Sequence, residues 1–390
     1  MSTGPEKIAP ALAWLAAQRP AAEALLRRLV EVSSHTADAA GVARVAALLE
    51  PELAAAGLPV ERLGGGGPFG PHLAFRGPAA GAPTFLLGHL DTVFPAGTFE
   101  GFRAEGERAT GPGVFDMKGG LVVLSLGLAA ARRAGLVERV PLAGLLVGDE
   151  EVGSPDSTPH LRRLAAGARA ALCFESGRDG DVLVTARKGT ASVTVTAHGV
   201  AAHAGNAHAQ GRNAIWALAR FVDLAQRLTD PARGVTVNVG TIRGGTTKNT
   251  VPDQASCEVD LRFLTAADGV RLEASLAEAA ATAALPGTRL EVARTAWRDP
   301  LERTGASAAL AAAYGEAQVE SGLGHGEAGL VGGGSDACTT GALGIPSIDG
   351  LGPRGKGFHT REETVELGSL LPKAEALLRF LAGAAQGRDG

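Results

Sequence analysis

The change of hydrophobic period near residue 188, and its reversal near residue 300, constrains the fold of this chain more than any other feature. Before it, short apolar runs alternate with helical patterns. Residues 21–32 and 41–56 carry helical apolar spacing, with Gly57 as a stop. Residues 84–88 (TFLLG), 141–147 and 170–174 read as apolar strands, and 119–133 as a buried helix that ends in basic residues before Gly135. Unbroken apolar strands between helices predict an α/β domain with helices on both faces of a mostly parallel sheet. Then 192–197 (SVTVTA) alternates strictly, as a half-exposed strand does. A helix over 211–228, strands at 235–242 and 255–263, a helix over 269–284 and a strand at 289–293 complete a β-α-β-β-α-β order, the ferredoxin-like pattern. The α/β pattern resumes after about residue 300, and its last helix shows one apolar face (Leu367, Leu370, Leu371, Leu377, Leu378, Leu381). The chain thus reads as a domain of residues 1–187 and 300–390, with a second domain, 188–299, inserted into it.

Composition excludes several functions. With 37 Lys+Arg against 41 Asp+Glu, the net charge of −4 leaves no footprint for nucleic acid or an anionic membrane. Aromatic residues make up 4%, too few for a base-stacking platform. The three cysteines, Cys173, Cys257 and Cys338, are odd in number and far apart, which argues against a disulfide scaffold and for a reducing compartment. Residues 1–20 carry Glu6, Lys7 and Arg19 around short apolar pieces, with no signal-like core. The longest apolar run, 121–131, is too short to span a bilayer. A cytoplasmic protein is expected.

The chemistry concentrates at strand ends and in glycine-rich loops. His89-Leu90-Asp91 follows an apolar strand, at the edge where open α/β sheets place their ligands. The two-residue strand repeat points His89 and Asp91 the same way, and a metal-binding His needs an acidic partner to fix its tautomer. The bland alternative is a strand-end His beside a solvated turn. Asp116, in GPGVFDMKGG, either bridges two metal ions or caps the next helix. Asp149, Glu150 and Glu151 repel one another unless a cation relieves them, or they form a plain acidic loop. Glu175 is another strand-end carboxylate and His359 a second imidazole. Together these imidazoles and carboxylates suit zinc with one position open for water, and two metals sharing a carboxylate make a hydrolytic centre. Other signatures fail. Residues 350–355 match G-x-G-x-x-G, but no helix follows and Pro353 interrupts the middle. No nucleophile elbow or H-E-x-x-H occurs.

HLDTVF, GPGVFDMKGG, GDEEVGS, FES and GFHT, in that order, resemble the zinc-dependent exopeptidase and deacylase family of glutamate carboxypeptidase, aminoacylase, acetylornithine deacetylase and succinyl-diaminopimelate desuccinylase. The resemblance runs along nearly the whole chain, the inserted domain included. It implies two zinc ions per subunit, and since cobalt or manganese can occupy zinc sites the native metal stays open. His89 and Glu175 would bind one ion, Glu151 and His359 the other, and Asp116 both. Asp91 would orient His89, Glu150 would act as general base, and the Asp116–Met117 peptide bond would be cis. KNTVP at 248–252, followed by DLR at 260–262, resembles the family's substrate-binding Asn and Arg. Asn249 and Arg262 would then hold the substrate's free α-carboxylate. Strand alternation puts Arg262 with Glu258 and Asp260, opposite Cys257, Val259, Leu261 and Phe263, where it either offers its fork or pairs with a neighbouring acid. His203, in AHAG, resembles the lid histidine that stabilises the oxyanion in the neighbouring subunit's site. The helix near Gly211 and its adjoining strand would form a homodimer interface, and His198 and His208 would be surface residues. In GGGSD at 332–336, the N–H groups of Gly333 and Gly334 would receive an anionic group, or Ser335 or Asp336 merely caps a helix. Arg354 and Lys356 either favour an acidic substrate group or are solvated.

The expected function is di-zinc hydrolysis of an amide next to a free α-carboxylate, with release of a C-terminal amino acid. RKG at 187–189, GGGSD and IDGLG at 348–352 lie closest to glutamate carboxypeptidase. An N-acyl-amino-acid deacylase is the alternative. The substrate is a small peptide or N-acyl amino acid, with no nucleic acid or membrane partner. A non-catalytic binding protein is set aside because every ligand position and the base are present.

Overall fold

The computed structural model describes residues 8–387. Glu6 and Lys7 lie outside the described residues, as do the two outer ends of the first expected domain. The chain divides into two compact units. One contains the chain up to Ala186, Arg303–Leu330 and the chain from Ser335 onward; the other is Arg187–Glu302 with Val331–Gly334.

The first unit is built on a six-stranded sheet in the order Val60–Gly64, Pro71–Arg76, Leu142–Val147, Thr84–His89, Ala170–Cys173, Ser347–Ile348. The last four strands run parallel. The first two, absent from the sequence reading, form an antiparallel hairpin on the sheet's edge. Every residue of TFLLGH, LAGLLV and AALC is buried, as strands covered on both faces require. Helix Lys118–Arg133 packs against helix Leu370–Ala384. A Cβ at Gly120 would overlap the carbonyl oxygen of Phe174, so glycine lets this helix start close against the end of strand Ala170–Cys173.

Register decides where the chemistry collects. His89 pairs with Val147 and Leu87 with Cys173 across parallel ladders. The carboxyl ends of these three strands are therefore level, and the segments leaving them, 89–91, 148–151 and 174–175, emerge along one edge. A small second sheet joins Gly355–Lys356, Thr364–Glu366, Arg108–Thr110 and Arg103–Glu105.

The second unit holds strands Gly189–His198, Thr236–Gly244, Gln254–Phe263 and Arg289–Arg298, with helices Ala214–Gln226 and Ala266–Ala283. Its antiparallel sheet, ordered Thr236–Gly244, Gln254–Phe263, Gly189–His198, Arg289–Arg298, is ferredoxin-like. Cys257, Val259, Leu261 and Phe263 are buried in its core, while Glu258 is exposed and Asp260 and Arg262 are half-exposed. Among the described residues, no helix is long and apolar enough to cross a membrane.

Candidate metal centre

His89 is the last residue of its strand and almost wholly buried. Its Nδ1 lies 2.9 Å from the backbone carbonyl of Asp91. That contact puts the ring proton on Nδ1 and leaves the Nε2 lone pair for a metal. The expected imidazole–carboxylate clamp is thus mainly a main-chain contact, with Oδ1 of Asp91 farther off at 3.5 Å. The buried Asp91 carboxylate instead accepts from Thr36 Oγ1 (2.6 Å), Glu150 N (3.2 Å) and Glu151 N (3.2 Å). It anchors the turn that carries the next two candidate residues. Thr36 was missed because no motif surrounds it.

Asp116 lies where the two imidazoles converge. Its Oδ1 is 3.4 Å from Nε2 of His89, and its Oδ2 is 3.2 Å from Nε2 of His359. Glu175 Oε1 approaches His89 at 3.7 Å, and Glu151 Oε2 approaches His359 at 3.2 Å. Glu150 offers a carboxylate oxygen to the group formed with His89 and Glu175. His359 adopts φ 63°, a left-handed conformation that a non-glycine residue keeps only where its surroundings dictate it. The Asp116–Met117 peptide bond is cis.

The electrostatics describe a basket for cations. Burial pushes the Glu151 carboxyl up to about 7 and Glu175 well above its usual range. Burial also opposes ionisation of Asp116, but His359 and His89 hold its carboxyl below the ordinary value. Contacts with Asp116 and Glu151 raise His359 to about 10. Burial disfavours charge on His89, yet Glu175 and Asp116 carry it well above its usual value. Oε1 of Glu151 is buried without a hydrogen-bond partner. Packed acids with an unsatisfied oxygen, facing two imidazoles, are the donor set of divalent metals such as zinc.

Two supports of this basket carried no sequence signal. Glu363, fully buried, accepts from the N–H groups of Gly113, Phe115 and Asp116 at 2.8–2.9 Å. His72 Nδ1 accepts from Gly148 N at 3.0 Å, and its Nε2 faces Asp156 at 3.1 Å.

Arg354, read as a substrate contact or a solvated cation, is engaged by two acids of its own unit. Asp181 is buried and needs positive neighbours, and Arg354 supplies one at 3.0 Å while also holding Glu366 at 2.9 Å. Ser335 and Asp336 do not cap a helix through their side chains. Ser335 donates to Asp349 (2.6 Å), and Asp336 accepts from Ser154 (2.5 Å).

The second unit presents its candidates separately. Arg262 places its fork on Asp260, two residues earlier on the same face, at 2.8 and 2.9 Å. The neighbouring-acid pairing is therefore the one observed. Asn249 is exposed in a turn, where its carbonyl accepts from Ala204 N. His203 is exposed and its Nδ1 accepts from Gly205 N and Asn206 N at 3.2 and 3.1 Å. The carbonyls of Gly333 and Gly334 accept from Arg187 at 3.1 and 3.4 Å.

Comparison with known proteins gives this centre a context. Residues 185–288 match a peptidase dimerisation domain model. The chain is 31% identical over 362 residues to Carboxypeptidase G2 of Pseudomonas sp. (strain RS-16), covering 90% of this chain and 86% of that protein. It is 31% identical over 268 residues to the succinyl-diaminopimelate desuccinylase of Paracoccus denitrificans, covering 61% of this chain and 66% of that protein. Its fold matches an M20 family metallo-carboxypeptidase from Sulfolobus solfataricus with a TM-score of 0.72 at 18% identity, over 92% of this chain and 98% of that one. With that identity maintained along most of its length, the chain belongs to the M20 metallopeptidase family and is a metal-dependent hydrolase.

Proposed function

We propose that this hydrolase cleaves the amide bond next to a free α-carboxylate and releases a C-terminal amino acid, as a glutamate carboxypeptidase does. Its metal would be a pair of zinc ions, with cobalt or manganese as substitutes. The observation that carries the reading is the shared carboxylate: Asp116 turns one oxygen to His89 and the other to His359. His89, Glu175 and Asp116 would hold one ion, and Asp116, Glu151 and His359 the other. When bound, such a pair supplies Lewis acidity and lowers the pKa of water toward about 7.

Glu150 is the general base of this reading. Its carboxylate takes a proton from the attacking water as the C–O bond forms. It returns that proton to the leaving nitrogen as the C–N bond breaks. Asp91 holds the backbone of Glu150, so the base starts from a fixed point. With Nδ1 of His203 engaged by two N–H groups, the neutral ring carries its proton on Nε2, the donor an oxyanion requires. Asn249 and Arg262 are assigned to the substrate's α-carboxylate, which must share the guanidinium with Asp260. Gly333 and Gly334 are assigned to an anionic substrate group.

A homodimer is part of the proposal. The matched dimerisation segment contains Trp216 and Ile215 on one helix and Ile242 on an edge strand, at 62%, 39% and 56% exposure. The expected cytoplasmic location rests on the three scattered cysteines, all buried.

The test is amino-acid release, read by mass spectrometry, from aryl- and peptidyl-glutamates alongside N-acetyl and N-succinyl amino acids, with a chelator control. Chelator-sensitive release of glutamate is expected to dominate. Preferential deacylation of the small N-acyl substrates would move the protein to the deacylase branch, in keeping with its desuccinylase relative. Glu150→Gln should retain metal and lose turnover by at least about a hundredfold; retained turnover would remove Glu150 as the base.

A further inference from the structure

Two turns, Val114 N to Gly111 O and Lys118 N to Gly113 O, shape the loop that carries Asp116, and a side chain distant in sequence holds the N–H groups of Gly113, Phe115 and Asp116. Gly111 and Gly113 have φ values of 155° and 72°, so the backbone turns its N–H groups of residues 113, 115 and 116 inward to a common point. Donors converging in a dry interior need an acceptor of matching charge. The side chain of Glu363 fills that point. Oε1 accepts from Phe115 N at 2.9 Å and Asp116 N at 2.8 Å, and Oε2 accepts from Gly113 N at 2.9 Å.

Sheet register brings the two segments together. Strand Thr364–Glu366 pairs with strand Arg108–Thr110, with Thr364 opposite Thr110. Glu363 precedes one strand and residues 111–116 follow the other, so the antiparallel pair delivers the acid to the loop. Glu363 also lies four residues after His359, joined to it through turns closed by Thr360 N to Gly357 O and Glu363 N to Thr360 O. One short segment therefore supplies both a candidate ligand and the cradle of the shared carboxylate.

We infer that Glu363 is a positioning residue for the metal centre: it fixes the main chain of Asp116 so that its carboxylate reaches both ions at once. The inference rests on the two-metal reading proposed above. Glu363 touches neither ion nor substrate in this role.

Glu363→Gln tests it with little change of volume. A carboxamide has one acceptor oxygen, so an NH2 group must face at least one of the three N–H donors. Zinc affinity, measured by competition with a chromophoric chelator, is expected to fall about 10- to 100-fold. The visible absorption of the cobalt-loaded variant should change as well. Both measurements are made at a temperature where circular dichroism shows the metal-free variant folded. A folded variant with wild-type affinity and an unchanged cobalt spectrum overturns the inference. If the variant does not fold, hydrogen exchange on the unmutated, metal-free protein decides. The amides of Gly113, Phe115 and Asp116 are expected to be protected, and rapid exchange there removes the cradle. A wild-type chain that takes up no metal would sink the two-metal reading instead, and the exchange result would still judge Glu363.

Discussion

The carboxylate of Asp91 takes three hydrogen bonds from groups far away in sequence: Thr36, Glu150 and Glu151. An amide at this position keeps the shape but turns a donor toward one of those donors. Asp91→Asn is therefore expected to displace the 150–151 turn, lowering metal affinity and kcat each by about 10- to 100-fold. Metal titration and steady-state kinetics on the folded variant check this; wild-type values in both would show the anchor to be dispensable. The candidate ligand residues were legible because each stands at a strand end or among glycines, where the chain announces an unusual backbone. Thr36, His72 and Glu363 were not. Each acts through a hydrogen bond across more than 50 residues of chain, and a lone Thr, His or Glu has no local pattern.

The elements that position the site follow from period. Apolar runs of five to seven residues became buried parallel strands, and strict alternation became the half-exposed strands of the second unit. The edge hairpin Val60–Arg76 escaped notice because a glycine-rich stretch, Gly64–Gly67, separates two short strands. The start of helix Lys118–Arg133 depends on Gly120, which leaves no room beside the Phe174 carbonyl. Gly120→Ala should lower folding stability by about 1–3 kcal/mol, the usual range for overpacking. It should also weaken metal binding, because Phe174 adjoins Glu175. Denaturant unfolding of the metal-free protein and a zinc titration test the two effects; an unchanged midpoint would mean the helix shifts without strain.

At the scale of the whole molecule, Asp181 ties distant parts of the first unit together. It faces Arg354 at 3.0 Å and Lys373 of the last helix at 3.2 Å, and accepts from Gly324 N at 3.1 Å. Burial alone would raise its carboxyl, but the Lys373 charge prevails and holds it below the ordinary value. A carboxyl with a lower pKa folded than unfolded stabilises fully above the unfolded value, about 3.9, and loses that contribution as pH falls through the folded one. The stability gap between wild type and Asp181→Asn should therefore be widest near neutrality and close progressively below about pH 4. Urea unfolding across that range is the check, and a gap independent of pH would show that charge is not what Asp181 contributes. The second unit carries its own prediction. If the proposed homodimer forms, Trp216→Glu combined with Ile242→Lys should convert it into a monomer by light scattering, with secondary structure intact; a persistent dimer would place the interface elsewhere, and a monomeric wild type would remove the dimer.

Local pattern was enough to determine the two-unit α/β and ferredoxin-like architecture, because hydrophobic period and glycine placement act over a few residues. It also determined the candidate ligands, because their residue types cluster in the loops that follow strands. Only the tertiary structure decided that Asp116 faces both imidazoles, that Arg354 is engaged by the distant Asp181, and that Glu363 cradles the central loop. Those outcomes depend on strand register and on which buried charge finds which partner. They are long-range matters of satisfying polar groups in a dry interior, and no window of neighbouring residues contains them.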